Sequence, residues 1–377
     1  MSNSIIYSMN IITLHHYHSL LNEPMRISRG GLKSRHHLII EISVNEVSGY
    51  GEAICSSDLL LNVTKSLDLS ELTKIPLSDF DAFLKSYLDQ IVYFEGLSVI
   101  RALFCALSAA ALDCLARLDN LPFYKYISPS PQNASPLESY ASNIYWKENP
   151  DEMNDDIKYL IDKGVKNIKA HVGVLEPEDE LRRLDTLTAI SNCSKFMLDF
   201  NCAYNENQAH SFISSSSHSN HDFYWLEELV RPDDLSAIVS LASLHGPKLA
   251  FGENHYGRQF NFLADQGVGF LMPDIGRSLF ILDVIELSAS LTDSYISLHN
   301  YSSGILLSAS VHLSHVIGEK TIVETDQSSN ALITEFLDYS IFADNNSVIA
   351  SSSNGIGCSL PLRLGQWKHD VYKIAPK

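Results

Sequence analysis

Basic residues are scarce in this 377-residue chain. Lys and Arg total 27 against 45 Asp and Glu, a formal net charge of −18. No basic stripe interrupts the deficit, which argues against a nucleic-acid partner. Cysteine is sparse too. The six (Cys55, Cys105, Cys114, Cys193, Cys202 and Cys358) are scattered, with no CxxC pair and no metal-finger spacing. They read as buried thiols of a reducing compartment, not as a disulfide framework. Long apolar runs are missing: no stretch approaches 18 apolar residues, so no membrane span is expected. The opening "MSNSIIYSMNIITLHHYHS" has no basic segment leading into an apolar one, so no leader peptide is expected either. These absences point to a soluble, cytoplasmic protein.

What is present is ordinary globular chemistry, 45% hydrophobic and 19% charged, in a chain long enough for two domains or a barrel with a cap. The first part reads as strands ("SIIYSMNIITLHHY", "HHLIIEISVN"), with "SGYGEAI" as a turn leading into more strand, followed by helices. The stretch "LSVIRALFCALSAAALDCLARL" is helical and apolar nearly all round, as expected where two domains meet. From about residue 138 strands alternate with helices. Asn149 caps a helix that starts on Pro150, presents Met153, Ile157, Leu160 and Ile161, and stops at Gly164. Pro232, Asp233 and Asp234 lead into a second, with Leu235, Ile238, Val239 and Ala242 on one face. The serine-rich tract 211–219 reads as a solvated loop. "HHYH" at 15–18 places His16 and His18 on one strand face, but with no acidic or cysteine partner nearby in sequence it reads as surface loop.

Repeated β-then-α units mean a parallel sheet, either doubly wound or closed into a barrel. The short apolar runs decide between them. Each ends on an ionisable or polar residue: Lys169 with His171, Asp199 with Asn201, Glu227, Glu253, Asp274, His299 and Glu324, at intervals of 21 to 30 residues. One βα unit of a barrel occupies about 30 residues. Only a barrel brings successive strand ends to one face; a doubly wound sheet would spread them along an edge. Asp199, Glu227 and Glu253 end three consecutive strands and would repel one another without a cation, and hard oxygen ligands suit Mg²⁺. Lys169 and His171 flank this group on one side and His299 on the other. Asp274, one strand earlier, is placed to orient the His299 imidazole.

These residues resemble the enolase superfamily, and within it the mandelate racemase subgroup, over nearly the whole chain. "GYGEA" at 49–53 resembles that family's capping-domain turn, and "AALDCLARLDNLPFYKYI" its helix joining cap to barrel. "VKNIKAHVG" sits where the family has its Lys-x-Lys strand. "LDFN", "WLEE" and "FGE" are similar to its three metal-ligand strands, and "MPDIGR" with "LHNYSSG" to its Asp–His dyad. The chain departs in having His171 for the second lysine, Ser278 and Leu279 for two glycines, and no Pro after "WLEE".

The resemblance implies an α/β fold, a (β/α)7β TIM-like barrel with an N-terminal α+β capping domain. Its parts would be residues 1–125 (cap), 126–340 (barrel) and 341–377 (a segment returning to the cap). It implies Mg²⁺ on Asp199, Glu227 and Glu253 and removal of the proton α to a carboxylate. Lys169 would then be an electrostatic group, His171 and His299 acid/base groups with Asp274 behind His299, and Glu324 a neighbour of the substrate carboxylate. Asn201 is a candidate hydrogen-bonder to substrate. The expected activity is dehydration of an acid sugar to a 2-keto-3-deoxy acid, with racemisation or epimerisation of a 2-hydroxy acid as the alternative. The expected partner is a small carboxylate, with no nucleic acid and no membrane, in an even-numbered homo-oligomer. Cap loops at 15–35 and 51–61 would set specificity; Arg26, Arg29 and Lys33 in the first read as solvated charge rather than as contacts to a distal carboxylate.

Overall fold

A computed structural model describes residues 11–55, 59–91, 97–128, 130, 133–217, 222–328, 330–361, 364–365 and 367–374. The first ten residues, positions 56–58 of the second cap loop and positions 218–219 of the serine-rich tract lie outside that set.

The chain opens with a meander of three antiparallel strands, β1 (Ile11–Ile27), β2 (Gly30–Val44) and β3 (Val47–Cys55). Alternation along these strands gives the sheet two apolar faces. Ile12, Leu14, Leu38, Ile40 and Ile42 meet the cap helices, whereas Tyr17 and Ile39 join the barrel core. The helix Leu97–Leu118 crosses behind β3. Its Leu103, Ala106 and Leu107 belong to the cap core and its Ala109, Leu112 and Ala116 to the barrel core, which is why it is apolar all round. By length and composition it could cross a membrane, but 89% of its most apolar window is buried inside the protein. Close crossing demands glycine on β3, because a Cβ on Gly51 would lie 2.0 Å from the Ala106 carbonyl oxygen.

Eight parallel strands follow: β4 (Leu137–Ile144), β5 (Asn167–His171), β6 (Lys195–Asp199), β7 (Leu226–Glu227), β8 (Leu249–Phe251), β9 (Phe270–Leu271), β10 (Tyr295–Ile296) and β11 (Val323–Thr325). Each pairs with the next from β4 to β10, and β11 pairs back onto β4. Ile296 N–H bonds to the Lys320 carbonyl at 3.0 Å and closes the ring. The α/β fold is a (β/α)7β barrel with an N-terminal cap. A hairpin of β12 (Phe342–Asp344) and β13 (Ser347–Val348) lies antiparallel against β4, and β14 (Lys368–Ile374) pairs with β1 in the cap sheet.

The connecting helices follow local rules, with exceptions. Asn149 caps the helix Pro150–Asp162 by accepting from Asp151 N–H at 3.0 Å, and Gly164 beyond it has φ of 88°. Asp234 caps Leu235–His245, but the buried face is Ala237, Ile238, Leu241 and Ala242; Leu235 and Val239 are exposed. The serine-rich tract is not a loop at its start, since positions 211–216 complete the helix Glu206–Ser216. "HHYH" is β-strand, interior to β1.

Candidate active site

The barrel interior is built in layers, and the layering places the site. Tyr140, Met197, Trp225 and Ile322 plug the barrel with Ala250, Phe270 and Met272. Side chains two residues further along a strand point inward one layer higher. Above Met197 this gives Asp199, above Trp225 Glu227, above Ile322 Glu324 and above Tyr140 Ser142. Register aligns His171 with Asp199 and Asp199 with Glu227 on neighbouring strands. The residues expected from the sequence do converge.

Lys169 is 1% exposed at the centre of the group. Its ammonium donates to Glu227 Oε1 and Glu324 Oε1, both at 2.8 Å, with Asp199 Oδ2 at 3.7 Å. Burial would lower the Lys169 pKa, but Glu227 and Glu324 outweigh it and hold the amine charged. One ammonium cannot neutralise three carboxylates. The surplus falls on Glu227, pushed well above the usual range by burial and then by Asp199 and Glu324, against the pull of Lys169. Its second oxygen accepts from the Trp225 indole at 3.0 Å.

His299 stands on the far side. Nδ1 is 2.8 Å from Asp274 Oδ2 and Nε2 is 2.8 Å from Glu253 Oε2. Burial opposes its charge, but Glu253 and Asp274 raise its pKa well above the ordinary value, so the ring is an imidazolium. Asp274 is fixed by Gly276 N–H at 2.8 Å. Ser278, where the family has a glycine, closes the same turn: its Oγ accepts from Asp274 N–H at 2.9 Å and donates to the Asp274 carbonyl at 3.0 Å.

His171 differs. Nδ1 faces two acceptors, Asn201 Oδ1 at 3.0 Å and Asp199 Oδ2 at 3.3 Å, and the ring stacks on Tyr145 at 4.9 Å. Two acceptors at Nδ1 place a proton on that nitrogen and leave Nε2 as the ring atom turned to the cavity chemistry. The Asn201 amide gives its oxygen to His171 and its nitrogen to Asp199 Oδ2 at 3.1 Å, which makes it a positioning residue for both.

Sequence reasoning passed over two residues. Glu228, next to Glu227, is fully buried, with φ of 45°. Its carboxyl accepts from Gly252 N–H at 2.9 Å and the Cys202 thiol at 3.2 Å, and burial followed by Glu253 pushes its pKa up to about 7. The signal was the second Glu of "WLEE", an acidic residue in an apolar run. Arg35 lines the cavity from β2, 7% exposed, its guanidinium 4.2 Å over the Tyr301 ring and 4.0 Å from Asp326, with Nε lacking a hydrogen-bond partner. The other first-loop cations serve elsewhere. Arg26 stacks on Trp146 and pairs with Glu148, Arg29 donates to the Asn201 and Cys202 carbonyls, and Lys33 is exposed. Arg29 is therefore an exposed charge that also ties cap loop to barrel.

The cavity above these groups measures about 370 Å³. Its floor is polar; its cap side is largely apolar, with Met25, Ile27, Ile54, Leu60 and Val99.

The family model for enolase C-terminal domain-like proteins matches residues 152–363. The chain belongs to that family. Arabinonate dehydratase of Saccharolobus solfataricus is 22% identical over 327 residues, covering 83% of this chain and 84% of that protein. N-succinyl-L-Arg/Lys racemase of Bacillus cereus is 22% identical over 246 residues, covering 62% and 63%. The solved L-talarate/galactarate dehydratase of Salmonella typhimurium LT2 superposes with a TM-score of 0.83 at 16% identity, covering 100% of this chain and 96% of that one. At that identity the superposition shows the shared fold alone.

Members of the enolase superfamily bind Mg²⁺, and the residues here fit it. Asp199, Glu227, Glu253, Asp274 and Glu324 face three cations, Lys169, His299 and Arg277. Two negative charges remain, the charge of one divalent ion, in an all-oxygen donor set.

Proposed function

We propose that this protein is a Mg²⁺-dependent lyase that removes the proton α to a carboxylate and expels the β-hydroxyl as water, converting an acid sugar to a 2-keto-3-deoxy acid. The observation that carries the reading is the pair of imidazoles on opposite sides of one carboxylate cluster, His171 with Nδ1 held by Asn201 and Asp199 and His299 with Nδ1 held by Asp274. His171, with Nδ1 engaged in this way, takes the α-proton on Nε2. His299, an imidazolium with Asp274 behind it, protonates the departing hydroxyl. The C–H electrons form the enol double bond as the C–O bond breaks, and the enol ketonises. Lys169 and Glu324 set the charge at the substrate carboxylate. Mg²⁺ on Asp199, Glu227 and Glu253 supplies Lewis-acid neutralisation of the charge that develops there. The relative named arabinonate dehydratase supports the lyase class.

A second reading is favoured by one feature, the apolar cap side of the cavity. Racemisation of a 2-substituted acid with an apolar substituent needs the same two imidazoles and no leaving group, and one relative is named a racemase.

The test is ¹H NMR in D₂O with Mg²⁺ over aldonic, aldaric and simple 2-hydroxy acids. The lyase reading expects loss of water and a 2-keto-3-deoxy product. His299→Asn should cut turnover by about 10²–10⁴-fold while sparing deuterium exchange at C2, and His171→Asn should abolish that exchange. Exchange at C2 without water loss, halted for one enantiomer by each variant, would replace it with the racemase reading. Wild-type protein inert toward every acid while binding Mg²⁺ would remove both.

A further inference from the structure

The cap sheet carries a second gathering of metal-binding side chains, remote in kind from the barrel's carboxylates. His16 and His18 share one face of β1. Pairing with β2 sets His36 opposite His18, and pairing with β14 sets Asp370 opposite His16. The partners that the sequence around "HHYH" lacks therefore arrive from positions 36 and 370.

The atoms lie at coordination spacing. His16 Nε2 is 3.2 Å from His36 Nδ1, and His18 Nε2 is 3.4 Å from Asp370 Oδ2. One ligand atom from each of His16, His18 and Asp370 falls within 4.8 Å of the others. Two donors on a tetrahedral ion with metal–nitrogen bonds of 2.0–2.1 Å stand about 3.3–3.4 Å apart. The two short separations match edges of such a tetrahedron. The rings stack, His16 and His18 with centroids 4.8 Å apart at 11° and His18 and His36 at 9°, so binding one ion requires the imidazoles to turn about χ2. An imidazole–imidazole hydrogen bond accounts for one short contact but does not bring His18 and Asp370 into the same cluster. Protonating all three rings would crowd like charges at the edge of the apolar cap core, where His16 continues the row of Ile12 and Leu14 and is only 2% exposed. A bound ion uses the same nitrogens in their neutral form.

We infer that His16, His18 and Asp370, with His36 in contact with His16, form a site for one divalent transition-metal ion of the zinc class, stapling the C-terminal strand to the first strand of the cap. Imidazole-rich donors select zinc, nickel or copper, whereas the all-carboxylate barrel set suits magnesium. The two sites are thus chemically separable. Because β14 meets the cap sheet along β1 only, an ion bridging these two strands fixes the end of the chain more firmly than the ladder does alone.

The experiment uses the full chain, stripped with chelator, with excess Mg²⁺ present to occupy the barrel. Titration with Co²⁺, a spectroscopic stand-in for Zn²⁺, should give one equivalent with the intense visible absorption of a tetrahedral site, displaced by Zn²⁺. His18→Ala should weaken Co²⁺ binding at least about tenfold, and the exposed, conservative Asp370→Asn should weaken it too. An Asp199→Asn/Glu227→Gln variant should keep the signal. Zn²⁺ should raise the melting temperature of wild type and not of His18→Ala. Absorption lost in the barrel variant and kept in both cap variants would overturn the proposal, as would wild-type protein that shows no visible band.

Discussion

Among single residues, Glu228 and Arg35 carry the sharpest consequences, and both follow from burial. Glu228 holds its proton to about pH 7, against an ordinary value of about 4.3 in the unfolded chain. A folded-state pKa raised this way stabilises the fold below the unfolded value and loses that contribution as pH rises through 7. Glu228→Gln keeps the shape of the protonated acid and can still meet Gly252 N–H with its oxygen. In Mg²⁺-free protein the variant should gain about 3 kcal/mol over wild type at pH 8.5 and almost nothing at pH 4.5, read by urea unfolding. A gain equal at both pH values would show that Glu228 does not carry the proton. Arg35 presents a guanidinium nitrogen with no hydrogen-bond partner among the described residues beside a largely apolar cap wall. Such a group recognises the polar far end of a substrate, not its reacting carbon. Arg35→Met should therefore raise KM at least about tenfold while changing kcat only a few-fold. Loss confined to kcat would place Arg35 in the chemistry instead.

Between elements, one buried carboxylate joins the contacts that hold cap over barrel. Glu52 on β3 is completely buried and accepts from His37 Nδ1 at 2.7 Å, Ser303 Oγ at 2.6 Å, Ser303 N–H at 3.0 Å and Leu306 N–H at 3.2 Å. It caps the helix Gly304–Ile317 from the neighbouring domain, where the positive end of the helix favours an anion. Burial pushes the His37 pKa down and keeps the ring neutral, so it donates without adding charge. Glu52→Gln sets an amide N–H₂ against donors and should cost about 2–4 kcal/mol. Urea unfolding would measure that loss, and two separate transitions in the variant would show that the cap has come loose. Less than about 0.5 kcal/mol would refute the assignment. Glu52 lies within "GYGEA", which the sequence marked as a turn by resemblance; its reach to Ser303 was not readable, because no pattern links positions 251 residues apart. The strand-end carboxylates were legible for the opposite reason: a barrel repeats its strand ends at near-constant spacing, so periodicity substitutes for long-range contact. Asn201, Arg29 and Arg35 fell between these cases. Each acts across a domain or strand boundary through one side chain, and composition gives an arginine on a loop no address.

For the whole molecule the governing fact is a charge imbalance concentrated in the barrel mouth. The chain as a whole carries −18, and most of that excess is solvated and screened within about 10 Å at ordinary ionic strength. The cluster around Lys169 is not. Burial and then Asp199 and Glu324 raise the Glu227 pKa well above the usual range against the pull of Lys169, which biases its carboxyl toward holding a proton in metal-free protein. Such a group stabilises the metal-free fold at low pH and gives that stability up as the pH climbs through its raised value. On the proposed site Mg²⁺ would need the carboxylate free of its proton, so the two would compete for one oxygen pair. Binding at pH 7 should release about one proton per ion, and affinity should rise up to about tenfold per pH unit until the cluster is deprotonated. Calorimetric titration in two buffers of different ionisation enthalpy gives the proton count directly. Melting with and without Mg²⁺ from pH 6 to 8.5 gives the other half: the gap between the curves should widen with pH, because a ligand stabilises in proportion to its affinity. A gap that narrows, or a binding enthalpy indifferent to buffer, would mean the carboxylates are already ionised and that Lys169 alone balances them.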